Sequence, residues 1–379
     1  MNRILAIALI AISLTGCAKG RFGPDVDTEA PKGPHTLKKL SVAERQQVME
    51  RARVWRPLDT SSLNMIAGPV LPKSQVIPAE VTCSFVFPEK KLTGMTPKFN
   101  CDLGDGDEVK VKYGEKNGEV YAEVAASRLL WALGFKADTM LPTRVTCRNC
   151  PVDPFAMSST DWRSKPSTDV ATRVFDAAVI ERDLPGKKIE VSGFEGWAWP
   201  ELDKIRQQRA HIDAFKLLAV FIQHSDSKPD QQAIVCADGA NRKDARGNET
   251  CRSAWLVIKD LGATFGKSTR LNSSKMNLED WDSAGVWKPG QRCVGDLPRS
   301  MTGSLEDPVI SEAGRRFLAR RLAMLSDRQI RDLFTVSQIE KRGEEITGAN
   351  GRKRDVTVDD WVRVFKRKRA EIASARCQA

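Results

Sequence analysis

Two carboxylates, a lysine and an amide are the residues of this chain whose types and spacing could perform chemistry. The run from His224 to Gln231 reads HSDSKPDQ, and Asp260-Leu261-Gly262 follows it 29 residues later. Phosphoryl transfer to a hydroxyl group uses one carboxylate to orient the acceptor, and an amide oxygen with a second carboxylate to hold magnesium on the phosphates. The chain offers these groups in that order, so the spacing predicts a phosphotransfer site.

These motifs resemble the catalytic loop and the metal-binding motif of the protein kinase-like superfamily, H-R-D-x-K-P-x-N and D-F-G. The resemblance implies that Asp226 is the catalytic base and that Lys228 is the cation beside the transferred phosphate. It also implies that Asp260 is the main magnesium ligand and that Gln231 is an amide ligand. Gln231 replaces Asn, and its extra methylene moves the oxygen outward. Leu261 replaces a Phe that packs and does not coordinate.

The run from His224 to Gln231 could also be an ordinary polar loop after a helix. The patterns on either side of it favour the kinase-like motif. Upstream, apolar residues recur every three or four positions and predict a buried helix over 212–222. Downstream, two short apolar runs at 233–236 and 255–258 predict a hairpin with a long tip. The predicted elements therefore occur in the order helix, polar loop, hairpin and Asp-Leu-Gly. This is the order found in the superfamily that the motifs resemble.

The nucleotide-binding elements have candidates earlier in the chain. Alternation over 109–113 predicts a strand that places Lys110 and Lys112 on one face, and 119–133 predicts a helix that ends at Gly134. We expect Lys112 to pair with Glu123. Lys110 and Glu119 form the second candidate pair, because Lys110 shares the strand face of Lys112 and Glu119 shares the helix face of Glu123.

A phosphate-covering loop is the third element of such a site. The segment 93–99 reads TGMTPKF and precedes the strand by one hairpin, whose predicted turn is at 104–106. Gly94 and Lys98 resemble the S-G-x-x-x-K loop of HipA-type serine kinases. A lone Gly-x-x-x-Lys also occurs in ordinary surface turns, so both interpretations stay open.

Taken together, the resemblance covers roughly residues 80–265 and implies an α+β, two-lobed protein kinase-like fold. A small β-rich N-lobe with a preceding helix is expected over 41–150, and a mainly helical C-lobe over 151–379. The capping box of Ser41 and Glu44 opens the first helix. In the C-lobe, helices are predicted around 315–325, after Ser326, and over 359–375. The segment 194–199 suits an acceptor-cleft wall or plain core packing.

The first residues resemble a bacterial lipoprotein signal. A short basic start, an apolar run over 4–14 and the sequence Leu14-Thr-Gly-Cys17 predict a signal peptide over 1–16. This implies a lipid on the Cys17 thiol, and Ala18 favours the outer membrane, facing the periplasm. An ordinary secretory signal is the alternative. Residues 17–40 then form a lipidated, Gly- and Pro-containing tether.

Eight cysteines remain once Cys17 is set aside, and an even number fits four disulfides in an oxidising compartment. The pairs that we expect are Cys83–Cys101, Cys147–Cys150, Cys236–Cys251 and Cys293–Cys377. A redox-active pair and half of a zinc site are the alternatives for Cys147 and Cys150.

The formal net charge of +11 is consistent with attraction to a negatively charged membrane surface or simply with a solvated basic face. We expect no nucleic acid partner, because the predicted location is the cell envelope.

The sequence therefore predicts a lipid-anchored phosphotransferase of the bacterial cell envelope. It would move a phosphoryl or nucleotidyl group from ATP or another nucleotide, with Mg²⁺ or Mn²⁺, to a hydroxyl of an unidentified acceptor. A pseudokinase that binds an envelope glycan, lipid or protein is the rival. A structural lipoprotein with chance motifs is the third interpretation, and it predicts that Lys112, Glu123, Asp226 and Asp260 are scattered.

Overall fold

The structure is a computed structural model that describes residues 41–163, 169–190, 196–243, 249–270, 275–348 and 351–377. The signal peptide, Cys17 and the tether were predicted at 1–40, which lies outside the described residues. Eight α-helices are described: α1 (Val42–Arg51), α2 (Gly118–Leu133), α3 (Pro154–Ser158), α4 (Arg209–Phe221), α5 (Leu278–Ser283), α6 (Glu312–Ala323), α7 (Asp327–Val336) and α8 (Val358–Ser374). Within those ranges none of the helices combines the length and the apolar character that a membrane crossing needs.

The strands in the described ranges are β1 (Glu80–Val86), β2 (Lys98–Asp102), β3 (Glu108–Tyr113), β4 (Lys136–Ala137), β5 (Thr139–Pro151), β6 (Val170–Arg182), β7 (Gly186–Lys188), β8 (Gln232–Ala237), β9 (Asn241–Lys243), β10 (Glu249–Cys251), β11 (Ala254–Ile258), β12 (Glu345–Thr347) and β13 (Lys353–Asp355). The chain is thus a mixed α+β protein, as the sequence predicted.

Five strands close into a small barrel in the order β1-β2-β3-β6-β5. Parallel pairing of β1 with β5 completes the ring, which leaves no free edge. Alternate residues of these strands point inward, and Phe99, Val111, Val145 and Ile180 fill the interior. Because β6 pairs with both β3 and β5, the barrel extends to Arg182. The boundary predicted at residue 150 therefore cuts through this sheet.

Helix α2 follows β3 and is buried along almost its whole length. Asn117 caps its start by accepting from the amide of Glu119. Gly134 ends it in the left-handed region at φ 91°, where an added Cβ would lie 2.4 Å from the carbonyl oxygen of Arg56. The position thus requires glycine for both its backbone angle and its close contact.

A second sheet has the order β4-β11-β8-β7 and contains the predicted hairpin as β8 and β11. Helix α1 packs against β11 of this sheet, and Arg45 in the helix forms an ion pair with Glu201. Just after the helix, the amide of Arg53 donates to the carbonyl of Ala254. The first helix was predicted together with the β-rich N-lobe over 41–150, whereas these partners belong to the later part of the chain.

Helices α4, α5, α6, α7 and α8 contribute the rest of the core. Phe221, Trp281, Phe334, Trp361 and Phe365 are fully buried and make edge-to-face or stacked contacts. Ser311 and Ser326 cap α6 and α7, and α8 begins at Val358, close to the predicted start.

The four expected disulfides are all present: Cys83–Cys101, Cys147–Cys150, Cys236–Cys251 and Cys293–Cys377. The first joins β1 to β2, the second bridges two positions within β5, the third closes the long hairpin, and the fourth ties the chain after α8 to the loop before α6. Cys147 and Cys150 are both fully buried. This burial favours a structural bridge over a redox-active pair, which needs solvent access.

Candidate active site

Lys112, Glu123 and Asp260 meet at one buried point. The ammonium of Lys112 on β3 forms an ion pair with Glu123 Oε1 on α2 and lies 3.6 Å from Asp260 Oδ2. Lys112 and Glu123 are 3% and 0% exposed, whereas the Asp260 side chain keeps 28%. The alternation of β3 points Lys112 inward, and the periodicity of α2 does the same for Glu123. Asp260 follows the end of β11. The interpretation of chance motifs, which predicted scattered residues, is thus wrong for these three.

Charge compensation favours the ionised forms of Lys112 and Asp260. Burial lowers the pKa of Lys112, but Asp260 and Glu123 outweigh it and raise that pKa well above its ordinary value. Burial likewise opposes ionisation of Asp260, yet Lys112 and the Gly262 amide, which donates to Oδ1, hold its pKa below the ordinary value. Burial raises the pKa of Glu123 to about 8, and Lys112 opposes that rise. The raised pKa of Lys112 favours a charged ammonium, whereas the raised pKa of Glu123 favours a neutral carboxyl group. The ion-paired form fits the geometry, because two carboxylates share one ammonium.

The predicted phosphate loop reaches the same place. Lys98 is the cross-strand partner of Lys112 in the β2–β3 pair, and its charge is among the causes that lower the pKa of Asp260. Gly94 adopts a left-handed φ of 82°, and a Cβ there would lie 3.3 Å from Lys98 Nζ. The backbone at Gly94 therefore lies next to the Lys98 ammonium, whose charge acts on Asp260.

Backbone hydrogen bonds join the loop from His224 to Gln231 to the Asp260 segment. The amide of Ser225 donates to the carbonyl of Ala263 at 3.1 Å, and the amide of Lys259 donates to the carbonyl of Gln231 at 2.8 Å. Because both ends of the loop are tied to the strand and turn around Asp260, the two motifs form one unit.

Asp226 belongs to the loop that these hydrogen bonds tie to the Asp260 segment. Burial raises the pKa of Asp226 above its ordinary value, and the charge of Asp260 raises it further, while Lys228, Thr302 and Lys275 act in the opposite direction. Thr302 Oγ1 donates to Asp226 Oδ1 at 2.8 Å. A half-buried carboxylate with a raised pKa is a suitable proton acceptor near neutral pH.

The remaining residues of the loop occupy different surroundings. Lys228 Nζ lies 3.6 Å from Asp230 Oδ2, so part of its charge is already compensated. The Gln231 side chain is 9% exposed. His224 is fully buried, its two ring nitrogens have no hydrogen-bond partner among the described residues, and burial lowers its pKa to about 4. His224 is therefore a neutral packing residue that contacts the Trp199 ring edge-on.

The second candidate pair does not form. Lys110 lies 3.5 Å from Glu181 Oε2 on the neighbouring strand, its direct cross-strand partner. Glu119 lies one turn before Glu123 at the start of α2, where it accepts from Thr96 Oγ1 and pairs with Lys275. The periodicity placed the two residues on suitable faces, but the register between β3 and β6 decided the partner of Lys110.

A loop from Arg299 to Leu305 is hydrogen-bonded to the loop from His224 to Gln231, and the sequence analysis missed it. Ser300 Oγ donates to the carbonyl of Ser225 at 2.6 Å, and the amides of Ser304 and Leu305 both donate to Ser227 Oγ at 3.1 Å. The segment carries no periodicity and no motif, so no sequence signal marked Thr302. Lys275 is a second missed residue, and it too lies outside any motif.

The predicted acceptor wall is only partly described, because 191–195 is outside the described ranges. Trp199 is fully buried and packs against Trp197 and Phe215, which supports the core-packing alternative for its ring. It also borders a cavity of about 750 Å³ whose wall includes Ser304 and Leu305.

Comparisons with known proteins add little to this geometry. No family model and no curated protein matches the chain. Among solved structures, it is similar to the Helicobacter pylori proinflammatory kinase CtkA, with 10% identity, a TM-score of 0.38, and coverage of 77% of this chain and 92% of that chain. A similarity at that level supports no functional assignment, so the proposal below uses the site geometry.

Proposed function

We propose that this protein is a kinase-like phosphotransferase that moves a phosphoryl or nucleotidyl group from a nucleotide to a hydroxyl acceptor. The observation that carries the proposal is the shared contact of Lys112 with Glu123 and Asp260, beside Lys98 and Asp226. A strand lysine paired with a helix glutamate, next to a metal-binding aspartate, is the arrangement that kinases use for nucleotide phosphates.

The donor set fits a magnesium or manganese ion. Asp260 is an ionised carboxylate with 28% of its side chain exposed, and Gln231 supplies an amide oxygen. Mg²⁺ prefers oxygen ligands and is commonly held by one or two carboxylates together with substrate phosphates and water. When bound, the ion would neutralise charge on the phosphates. Asp260 and Gln231 are the residues that we assign to hold it.

Each side chain then has a distinct role in the transfer. Lys112, oriented by Glu123, binds donor phosphates, and Lys98 with the backbone at Gly94 covers them. The acceptor oxygen forms a bond to phosphorus while the bond from phosphorus to the leaving oxygen of the donor breaks. Asp226 orients the acceptor hydroxyl and accepts its proton. The Thr302 hydroxyl fixes the carboxylate of Asp226 for this role.

The same proposal places the protein in the bacterial cell envelope, anchored through a lipid on Cys17 and facing the periplasm from the outer membrane. The four disulfides are consistent with an oxidising compartment, which supports an extracytoplasmic location. The nucleotide, the transferred group and the acceptor are the parts that experiment must identify.

Calorimetric titration of the purified protein, disulfides intact, with ATP plus Mg²⁺ or Mn²⁺ tests the proposal. We expect metal-dependent binding that Asp260→Ala abolishes. Asp176→Ala is the matched control, because that side chain is 58% exposed and pairs with Arg144 on the barrel surface. If neither the wild type nor the control binds ATP or a panel of other nucleotides, the phosphotransferase is excluded and the pseudokinase binding module becomes the better assignment.

A further inference from the structure

The phosphate loop, residues 93–99, has a buried anchor next to its exposed turn. Gly94 turns the chain with a left-handed φ of 82°, and the Met95 side chain is 90% exposed. Thr96 follows with only 8% exposure, and its hydroxyl donates to Glu119 Oε2 at the start of α2. Thr96 therefore attaches an exposed turn of the loop to a core helix.

The carboxylate of Glu119 has a second partner on the segment that follows the Asp-Leu-Gly turn. Lys275 forms an ion pair with Glu119 Oε1, and the two side chains are 30% and 11% exposed. The backbone of Lys275 packs on the same end of α2, because a Cβ added to Gly118 would lie 2.1 Å from its carbonyl oxygen. The amide of Met276 donates to the carbonyl of Thr264 at 2.9 Å. The lysine is thus fixed at its backbone, and its charge compensates a largely buried carboxylate.

The Asp-Leu-Gly turn itself packs against Glu119. A Cβ added to Gly262 would lie 2.9 Å from Glu119 Cγ and 3.1 Å from both Cβ and Cδ, so a larger residue there would push Glu119 away from the turn. The Gly262 amide also donates to Asp260 Oδ1 at 3.0 Å, which orients the proposed metal ligand. One side chain, Glu119, therefore contacts the phosphate loop, the turn that carries Asp260 and the segment that carries Lys275.

The alternative is that Thr96 and Lys275 serve only to satisfy a buried carboxylate. That role would require no particular position in the molecule. The two oxygens of Glu119 instead bind the two segments that border the proposed donor site. One is the phosphate loop, whose Lys98 is the cross-strand partner of Lys112, and the other follows Asp260 along the chain. The link joins the element that would cover the phosphates to the element that would hold the metal.

We propose that Glu119 is a positioning residue for the nucleotide. Through Thr96 and Lys275 it fastens the phosphate loop to the start of α2 and to the metal-binding turn before the nucleotide binds. This inference rests on the proposed function and deepens it. Because the link needs no ligand, the loop is already ordered in the nucleotide-free protein. Loss of the link should lower nucleotide affinity, since binding must then also order the loop.

Two measurements on the purified protein, disulfides intact, test this inference. Amide hydrogen exchange of peptides that cover 93–99 reports how often the loop opens without nucleotide. Calorimetric titration with ATP and Mg²⁺ reports the affinity. Thr96→Val is the central variant, because it keeps the shape of the side chain and removes the hydroxyl that donates to Glu119.

The expected sizes follow from the strength of a hydrogen bond to a charged acceptor, which is roughly tenfold or more in an equilibrium constant. In Thr96→Val, we expect exchange over 93–99 to accelerate by about tenfold or more and ATP affinity to fall by roughly threefold to thirtyfold. Thr96→Ser keeps a hydroxyl and should return both values toward those of the wild type.

Two further variants complete the design. Lys275→Met should show both changes at a smaller size, because Thr96 keeps its acceptor while that acceptor loses its second partner. Thr250→Val is the matched control. Thr250 Oγ1 donates to the carbonyl of Arg242 at 3.3 Å within the separate β9–β10 hairpin, so neither value should change.

The outcomes separate the inference from the proposed function. Unchanged exchange over 93–99 in Thr96→Val would overturn the inference, because other contacts would then hold the loop. Faster exchange with unchanged ATP affinity, or faster exchange throughout the chain, would also overturn it and leave the link as a stabilising contact. If the wild type binds no ATP, the positioning role fails together with the proposed function, and exchange over 93–99 still shows whether Glu119 fastens the loop.

Discussion

The ammonium of Lys112 donates to Glu123 Oε1 and lies 3.6 Å from Asp260 Oδ2, so one cation serves two carboxylates. The three residues come from a barrel strand, a core helix and the end of a hairpin in the second sheet. This single contact therefore ties together the elements that the proposed chemistry needs.

Removal of that cation should destabilise the fold. Lys112→Met leaves Glu123 buried without its partner, and we expect a loss of about 3–5 kcal/mol in the free energy of unfolding. Urea denaturation measures it. Lys110→Met is the control, because the Lys110–Glu181 pair is more exposed and should cost about 1 kcal/mol or less. The double variant Lys112→Met/Glu123→Met should recover part of the loss, and a double variant as unstable as the sum of the singles would contradict a coupled pair.

Asp226→Asn should separate binding from transfer. We expect nucleotide affinity to change by less than about threefold and the transfer rate to fall by roughly 10²–10⁴-fold, because the amide cannot accept the acceptor proton. Titration calorimetry and a phosphate-release assay with water as acceptor measure the two quantities. Transfer at the wild-type rate would show that another group accepts the proton.

The pH dependence of transfer follows from the same residue. Burial and Asp260 raise the pKa of Asp226, and the base must be ionised to act. As pH falls through that raised pKa, Asp226 gains a proton and the rate should fall, beginning at a higher pH than for an exposed aspartate. A pH–rate profile checks this, and an acid limb at or below the ordinary aspartate range would be the contrary result.

Asp138 should make stability depend on pH in the unusual direction. Burial, with a contribution from Asp183, raises its pKa from 3.8 to about 8, while Lys188 opposes the rise and the Leu184 amide donates to Oδ1. Between about pH 4 and pH 8 the folded state binds a proton that the unfolded state does not, so this residue makes stability fall as pH rises. Asp138→Asn should raise the melting temperature at pH 8.5 relative to the wild type, and the difference should shrink at pH 5. An equal difference at both pH values would show that Asp138 is already ionised.

The disulfides should rank by the length of chain that they close. Their sequence separations are 84 for Cys293–Cys377, 15 for Cys236–Cys251 and 3 for Cys147–Cys150. In the chain-entropy model, double Ser variants should cost about 4.5, 3 and 1.5 kcal/mol, in that order. Denaturant titration of the three variants gives the ranking. A largest loss at Cys147–Cys150 would show that local packing, and not chain entropy, dominates.

Local patterns in the sequence predicted most of the described helices and a few of the strands. Alternation located β3, three-to-four-residue spacing located α2, α4 and α6, and capping residues located the starts of α1 and α7. The four disulfide pairs were also expected from the order of the cysteines and the predicted hairpins. These features succeed because backbone hydrogen bonding and side-chain direction repeat over a few residues.

Contacts between distant segments were beyond such patterns. The closure of the barrel by β1 and β5, the extension of the barrel through β6, and the packing of α1 on the second sheet each depend on which surfaces fit together. The partner of Lys110 likewise followed from the β3–β6 register, which no local period specifies.

The sequence by itself determined the chemistry that this protein could perform, because Lys112, Glu123, Asp226 and Asp260 are defined by residue type and motif spacing. Only the tertiary structure decided that Lys112, Glu123 and Asp260 meet, and it added Thr302 beside Asp226 and Lys275 beside Glu119 from segments without any motif. The physical reason is the distance along the chain over which the interactions act. Side-chain type and local periodicity depend on neighbouring residues, whereas one ammonium can contact residues of three elements only after the sheets and helices have packed.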